Sequence, residues 1–378
     1  MGADLPTPAP RISSLDQFRG YTVLGMFFVN FCGHFQSIPG FFKHHNTYAS
    51  YADTIMPQFF LAVGFAYRLT FTRRLAAGPA GPAYAKALRR NLGLILLGLV
   101  IYHLDGGAAT WADLQALGIR GFLASAFQRD PFQTLVHIGV TSIWVLPVIA
   151  RPPAARIAWA GFSAALHFAL SSWFYYAWVM ARPGIDGGPL GFLTWTIPMI
   201  VGSLACDVVM GARGAGDLTA RPLPVRRLAA WGVALIVLGY AVSCLNLVTP
   251  SNASSGGLPG ILIEPPFVPP SRPVNIWTMS QRAGSVSYLV FGAGFSLVVY
   301  AFFLAACDGR GIRLSFLDTL GKNALAGYVI HEVVDQAVKP YAPRDAPLWY
   351  ALAAFGVFLF LTWLFLRALE KRGIYLRL

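Results

Sequence analysis

The chain has 378 residues, of which 56% are hydrophobic and only 12% charged, and its mean hydropathy is +0.56. A soluble domain carries roughly a quarter of its residues as charged side chains, so this composition excludes an ordinary soluble enzyme and points to a membrane protein. The net charge of +13 invites a nucleic-acid partner, but 19 of the 29 Lys and Arg residues fall in alternate segments between apolar runs, 8 in the others and 2 inside runs. That is the asymmetry of the positive-inside rule, and it argues for lipid head groups rather than nucleic acid.

A spanning helix needs ~20 mostly apolar residues to cross ~30 Å of hydrocarbon. Ten runs qualify: 18–36, 52–72, 87–104, 133–150, 155–180, 190–211, 228–247, 284–307, 316–337 and 347–369. The expected fold is all-α and polytopic, about ten transmembrane helices in one bundle over 15–378, with both termini cytoplasmic. Residues 1–14 are polar and proline-bearing, and are expected to be a disordered tail. The first ten residues lack a basic n-region, so no cleavable signal peptide is expected and the first helix acts as its own insertion signal. Cys32, Cys206, Cys244 and Cys307 lie in or beside apolar runs without CxxC spacing, and read as small buried apolar residues.

Taken in order, Ser13 or Ser14 followed by Asp16 and Gln17 marks a helix start, with the acid near the positive end of the dipole. Asp16 and Arg19 share a helix face, either as a local ion pair or as groups that meet a charged substrate. Asn30 sits deep in the first run, where an amide needs a helix partner or a polar cavity. The following loop carries Lys43 and three histidines, His34, His44 and His45. Imidazole titrates nearest physiological pH and suits proton abstraction from an amine or hydroxyl. The spacing 34, 44, 45 lacks the i, i+4 pairing of common zinc helices, so no metal is expected. Asp53 either orients a loop histidine through its second ring nitrogen or caps the second helix.

Arg89 and Arg90 begin the third run together, a pairing that suits phosphate through bidentate bonds or, equally, lipid head groups. The outer segment 105–132 contains TWADLQALGIRGFLASAF, a candidate interfacial or re-entrant helix. His167 reads as a packing histidine, and Pro198 with Gly202 allows a kink. The outer segment 248–283 is rich in proline and glycine and is expected to fold over the outer mouth as a lid or acceptor-site wall. Run nine holds Lys322, Asn323, Tyr328, His331 and Glu332, too costly a set for lipid exposure, so these should face the bundle interior. The last run ends in the basic LRALEKRGIYLRL, a snorkelling anchor.

Two segments carry a family signature. SLDQFRGYTVLGMFFVN followed by FFKHHNTYASYADTIMPQFFLAVG, and later LGKNALAGYVIHEV, resemble the heparan-α-glucosaminide N-acetyltransferase family. The stretches QTLVHIGVTSIW, GGPLGFLTWTIPMIVGS and RPVNIWTMS add weaker matches in the expected order. The resemblance implies an integral membrane acyltransferase, of bacterial inner-membrane type, that moves an acetyl group from cytosolic acetyl-CoA to an amine or hydroxyl of an extracytoplasmic sugar or glycan. It implies that Lys43-His44 matches the family's loop Lys-His, whose histidine is catalytic, and that Asn30 matches its intramembrane asparagine.

Asp16 and Arg19 match the family's Asp and Arg at the start of the first helix. The interval from His44 to Asp53 is one residue short of the pattern and His45 takes the next position, which leaves open which histidine points into the site. The lumenal N-terminal domain of the animal enzyme has no counterpart in this sequence, so glycan specificity does not transfer. The expected site is therefore His44, Asn30, His45 and Asp53 for chemistry. Arg89, Arg90, Asp16, Arg19, Asn323 and His331 are expected on the acyl-CoA side, with a homodimer allowed. The rival readings are a secondary transporter, for which no inverted repeat is visible, and a surface-polysaccharide O-acyltransferase, whose first helix usually carries histidine where this chain has Asn30.

Overall fold

A computed structural model describes residues 12–103, 108–126, 132–181, 185–213, 222–248 and 262–376. Among these, every regular element is helical. The helices are α1 (Ser13–Cys32), α2 (Ile55–Ala77), α3 (Ala80–His103), α4 (Trp111–Ala126), α5 (Thr134–Val145), α6 (Pro153–Leu170) and α7 (Tyr176–Met180). They continue with α8 (Phe192–Arg213), α9 (Val225–Cys244), α10 (Val286–Phe303), α11 (Ser315–Lys322), α12 (Ala324–Val338) and α13 (Leu348–Lys371).

Among the described residues, five continuous rods are long and apolar enough to cross a membrane: Pro153–Met180, Gly188–Ala212, Val225–Val248, Val286–Gly309 and Leu348–Lys371. Their most apolar windows are 72% and 67% buried for the second and fourth but only 17–22% for the other three. The second and fourth therefore form the bundle interior with α1 and α2, and the other three present their apolar faces outward, as lipid contact requires.

Small residues set the tightest crossings. A Cβ on Gly64 of α2 would sit 1.9 Å from the Met199 carbonyl oxygen of α8, and one on Gly202 would sit 2.0 Å from that of Leu61. The same reciprocity joins α1 to α11, where a Cβ on Gly20 would meet Leu317 O at 2.0 Å and one on Gly321 would meet Asp16 O at 2.0 Å. Close backbone approach through glycine drives packing between helices in a solvent as apolar as their own side chains. An ion triad locks one end of α2, α6 and α8. Arg68 Nε donates to Asp207 at 2.7 Å, Arg156 donates to the other Asp207 oxygen and to Ser203, and Arg68 also reaches Ile149 O.

Three expected elements take a different form. Run four is helical only over Thr134–Val145, because Pro147 has no N–H to continue the ladder, and 146–150 is a series of turns. Run five is interrupted by one wide turn at Ser171–Tyr175. Run nine is two helices. Asn323 leaves helical geometry at φ −111°, ψ 27°, and its side-chain amide donates to Thr319 O, competing with the backbone for that acceptor. The sequence region 105–132 yields α4, kinked at Gly118 (φ 63°), with Trp111 and Ile119 70% and 81% exposed, as an interfacial helix would be. Asp105 lies outside the described residues.

Of the expected tail, residues 1–11 lie outside the described set, but Ile12, Ser13 and Ser14 are buried. The helix begins at Ser13 with no side-chain cap, since Ser14 spends its hydroxyl on Asp308. Within 248–283, residues 249–261 are outside the described set. The remainder is irregular and packs over the loop after α1: Phe267 N–H donates to Ala49 O, and the Phe267 ring meets Phe41 and Phe291.

Candidate functional site

The connection from α1 to α2 folds on itself around Asp53. Asp53 is fully buried in the one-turn helix Ala52–Thr54, and both its oxygens are used within the loop. Oδ2 accepts the Ser50 N–H at 2.7 Å, while Oδ1 lies 2.7 Å from His44 Nδ1. Ser50 Oγ donates to Lys43 O, and Tyr288 of α10 donates to Asp53 O at 2.6 Å. The helix-cap reading of Asp53 does not hold, because α2 starts at Ile55 with no side-chain cap.

The His44 side chain faces a cavity and is 43% accessible. This cavity, of about 570 Å³, is lined by Asn30 of α1, Lys43, His44 and Asn46 of the loop, and Ile55, Met56 and Phe59 at the start of α2. Tyr102, Gln133, Thr134, Asp186 and Gln281 complete the lining together with Tyr328, His331, Glu332 and Asp335 of α12. Burial alone lowers the His44 imidazole pKa, but the hydrogen bond and charge of Asp53, with Asp186 and Gln281 behind them, outweigh it and raise the pKa above the ordinary histidine value.

The three loop histidines part company. His45 directs its Nε2 to Gly40 O at 2.8 Å and stacks on Tyr48 with ring centroids 4.4 Å apart, so it is not in the cavity lining. His34 receives the Arg344 Nε–H at 3.4 Å. Among the described residues, no three His, Cys, Asp or Glu side chains gather as a metal would require. Asn30 is exposed to the cavity, the alternative to a helix–helix hydrogen bond.

His331 also lines the cavity. Its Nδ1 donates to Tyr328 O at 2.7 Å, its ring stacks on Phe27, and its Nε2 is 3.5 Å from Glu332. The Tyr328 hydroxyl bonds to that of Tyr102, tying α12 to α3. The structure does not bring Asn323 into the cavity: it is buried at the α11–α12 break. Nearby, Lys322 lies 3.3 Å from Asp318 and 3.5 Å from Glu370.

Asp16, Arg19, Arg89 and Arg90 lie at the opposite end of α1 from Asn30. Arg19 is 3.9 Å from Asp16, and its charge acts on Arg90, as does that of Arg74. Arg89 is exposed. Sequence reasoning missed Arg74 here, and it missed Asp186 and Gln281 in the cavity. The available signal was position: Asp186 precedes the Gly187-Gly188 pair, and Gln281 lies three residues before Gly284, each beside a turn with positive φ.

The fold and site together define an integral membrane protein of the α-helical class, with a carboxylate-held imidazole facing a polar cavity. The chain belongs to the family described as heparan-alpha-glucosaminide N-acetyltransferase, catalytic, whose model matches residues 11–232. That span takes in α1, the His44 loop, Asp53 and Asp186, and membership carries membrane acetyltransferase chemistry. Comparison with curated proteins finds no match.

Proposed function

We propose that the protein transfers an acetyl group from cytosolic acetyl-CoA to an amine or hydroxyl of an extracytoplasmic sugar or glycan. The observation that carries this reading is the His44–Asp53 pair at 2.7 Å, opening on the same cavity as Asn30. With its Nδ1–H given to Asp53, the neutral imidazole keeps its lone pair on Nε2, the form a general base needs.

In this reading the acceptor's N–H or O–H loses its proton to His44 Nε2 as its heteroatom attacks the thioester carbonyl. The Asn30 amide donates to the oxygen as negative charge builds there. Collapse breaks the carbon–sulfur bond, and the His44 proton passes to the departing thiolate, giving the acetylated acceptor and free CoA. A volume of about 570 Å³ falls in the range of small-molecule sites.

The cationic cluster of Arg19, Arg74 and Arg90 suits the phosphates of the nucleotide. Arg19 and Asn30 are eleven residues apart on one helix, roughly 17 Å at 1.5 Å per residue. An extended pantetheine arm reaching between them would avoid carrying a charged nucleotide across hydrocarbon. Both termini on the cytoplasmic side of a bacterial inner membrane complete the arrangement, with residues 262–283 walling the outer mouth. The test is incubation of purified protein with labelled acetyl-CoA and a panel of amino sugars and cell-wall fragments. Acceptor-dependent label transfer that His44→Ala abolishes is expected, and transfer undiminished in His44→Ala would remove the proposal.

A further inference from the structure

We infer that His331 is a second base of the proposed reaction: backed by Glu332, it takes the first proton from an acceptor that enters the cavity as a primary ammonium, before His44 takes the second. The inference rests on the proposed role of His44 and deepens it, by naming the residue that prepares the acceptor.

The need for a second base follows from counting protons. A hydroxyl acceptor sheds one proton on acylation, and His44 takes it. A primary amine near neutral pH is largely an ammonium, which has no lone pair to attack with and must shed two. The first has to leave before attack, and His44 Nε2 must still be empty to take the second.

His331 lines the same cavity as His44 and Asn30, and its surroundings fix its tautomer. Tyr328 O can only accept, so its 2.7 Å contact with Nδ1 puts the ring proton there. Phe27 stacks on the imidazole with centroids 5.3 Å apart, and Phe358 packs across Phe27 at 5.8 Å, which holds the ring plane. Nε2 therefore carries a lone pair, and Glu332 Oε1 lies 3.5 Å from it. Two acceptors this near repel until a proton arrives on one of them, so the pair is set to take one. The His331 side chain is 4% accessible and that of Glu332 46%, which gives a proton received on the imidazole a way out through the carboxylate.

The other charged groups of α12 and its end, Asp335 and Lys339, are paired with each other at 2.7 Å. Lys43 and His44 from the loop after α1 and Asp186 from the turn before α8 also line the cavity. Tyr102 of α3 bonds to the Tyr328 hydroxyl, and α1 and α13 present the Phe27 and Phe358 rings. Asp335 being engaged by Lys339, Glu332 is the carboxylate that serves His331. In the step, one N–H bond of the ammonium breaks, its electron pair stays on nitrogen, and the proton goes to His331 Nε2 and then through Glu332 to water. The freed amine attacks the thioester with His44 as base.

The test uses full-length protein in detergent, labelled acetyl-CoA and glucosamine as the probe. Rates are read at about pH 6, where the probe is mostly ammonium, and at about pH 9, where it is mostly free amine. His331→Asn cannot take a proton, and Glu332→Gln keeps the shape without the charge. Relative to wild type at the same pH, His331→Asn should lose about 10²-fold and Glu332→Gln about tenfold at the lower pH. Both should return to within a few-fold at the higher one, and Glu332→Asp should recover most of the loss in Glu332→Gln. Losses equal at both pH values would mark a structural role and overturn the second base, as would undiminished rates at the lower pH.

The pair is also read without turnover. Protein labelled with ¹⁵N in its seven histidines is titrated at about pH 6, with His331→Asn assigning the signal of interest. Glucosamine should move the His331 Nε2 resonance upfield, as accepting a proton or a hydrogen bond does, and glucose, which has no ammonium, should leave it in place. A resonance that ignores glucosamine overturns the inference. One that moves in a protein releasing no CoA keeps the ammonium site and removes the proposed function.

Discussion

His44 Nδ1 and Asp53 Oδ1 lie 2.7 Å apart, nine residues apart in sequence, with the carboxylate fully buried and the imidazole open to the cavity. The pair fixes both the tautomer and the sign of the pH dependence. A general base works only when neutral, so transfer should fall as pH drops through the raised His44 pKa. Asp53→Asn removes the main stabiliser of the imidazolium. It should move that acidic limb to lower pH while cutting the maximal rate by about 10²-fold or more, read from a pH–rate profile. The linked stability runs the other way: the stabilisation from His44–Asp53 is fully present below the ordinary histidine pKa and is lost as pH rises through the raised one.

The two adjacent histidines should differ sharply. His45 is held by Gly40 O and Tyr48 outside the cavity lining. His45→Ala should keep transfer within a few-fold of wild type, whereas His44→Ala should lose about 10²-fold or more. Equal losses in both variants would place the base elsewhere.

At the other end of α1, Arg90 is half-buried in the field of Arg19 and Arg74, while Arg89 is exposed. Arg90→Gln should raise the KM for acetyl-CoA by about tenfold, the loss of one charge-assisted bond at roughly 1.5 kcal/mol, and should leave kcat little changed. Arg89→Gln should change neither. Initial rates across a range of acetyl-CoA concentrations separate the two.

Asp207 accepts from two guanidiniums, Arg68 and Arg156. Asp207→Ala would leave Arg156, fully buried, without its counter-charge. A loss of about 3 kcal/mol or more is expected, seen as a lower thermal midpoint in detergent.

Gly64 and Gly202 allow α2 and α8 to touch through their backbones. Gly202→Val should force the helices apart and destabilise the bundle beyond Gly211→Ala, where an added Cβ meets nothing within 4 Å. The two thermal midpoints check the comparison.

The parts of this architecture legible in the sequence are those where a polar residue is costly. Asn30 inside an apolar run and three histidines in a short loop draw attention because hydrocarbon leaves such groups few options. Asp186 and Gln281 escape that logic: both lie in turns, where polar side chains are ordinary, and their pairing depends on a glycine contact between turns distant in the chain. The break at Asn323 was equally hidden, since asparagine tolerates a helix until its side chain captures Thr319 O. Arg90 is half-buried and Arg89 exposed because neighbouring helix positions point about 100° apart, and only the packing of α3 decides which turns inward.

The central claim is tested most directly with purified protein oriented in liposomes, labelled acetyl-CoA on one side and an amino-sugar panel on the other. The account predicts label on an acceptor across the bilayer, stoichiometric with CoA release, lost in His44→Ala and displaced along the pH axis in Asp53→Asn. Acceptor movement across the bilayer with no CoA release, or transfer that survives His44→Ala, would contradict it.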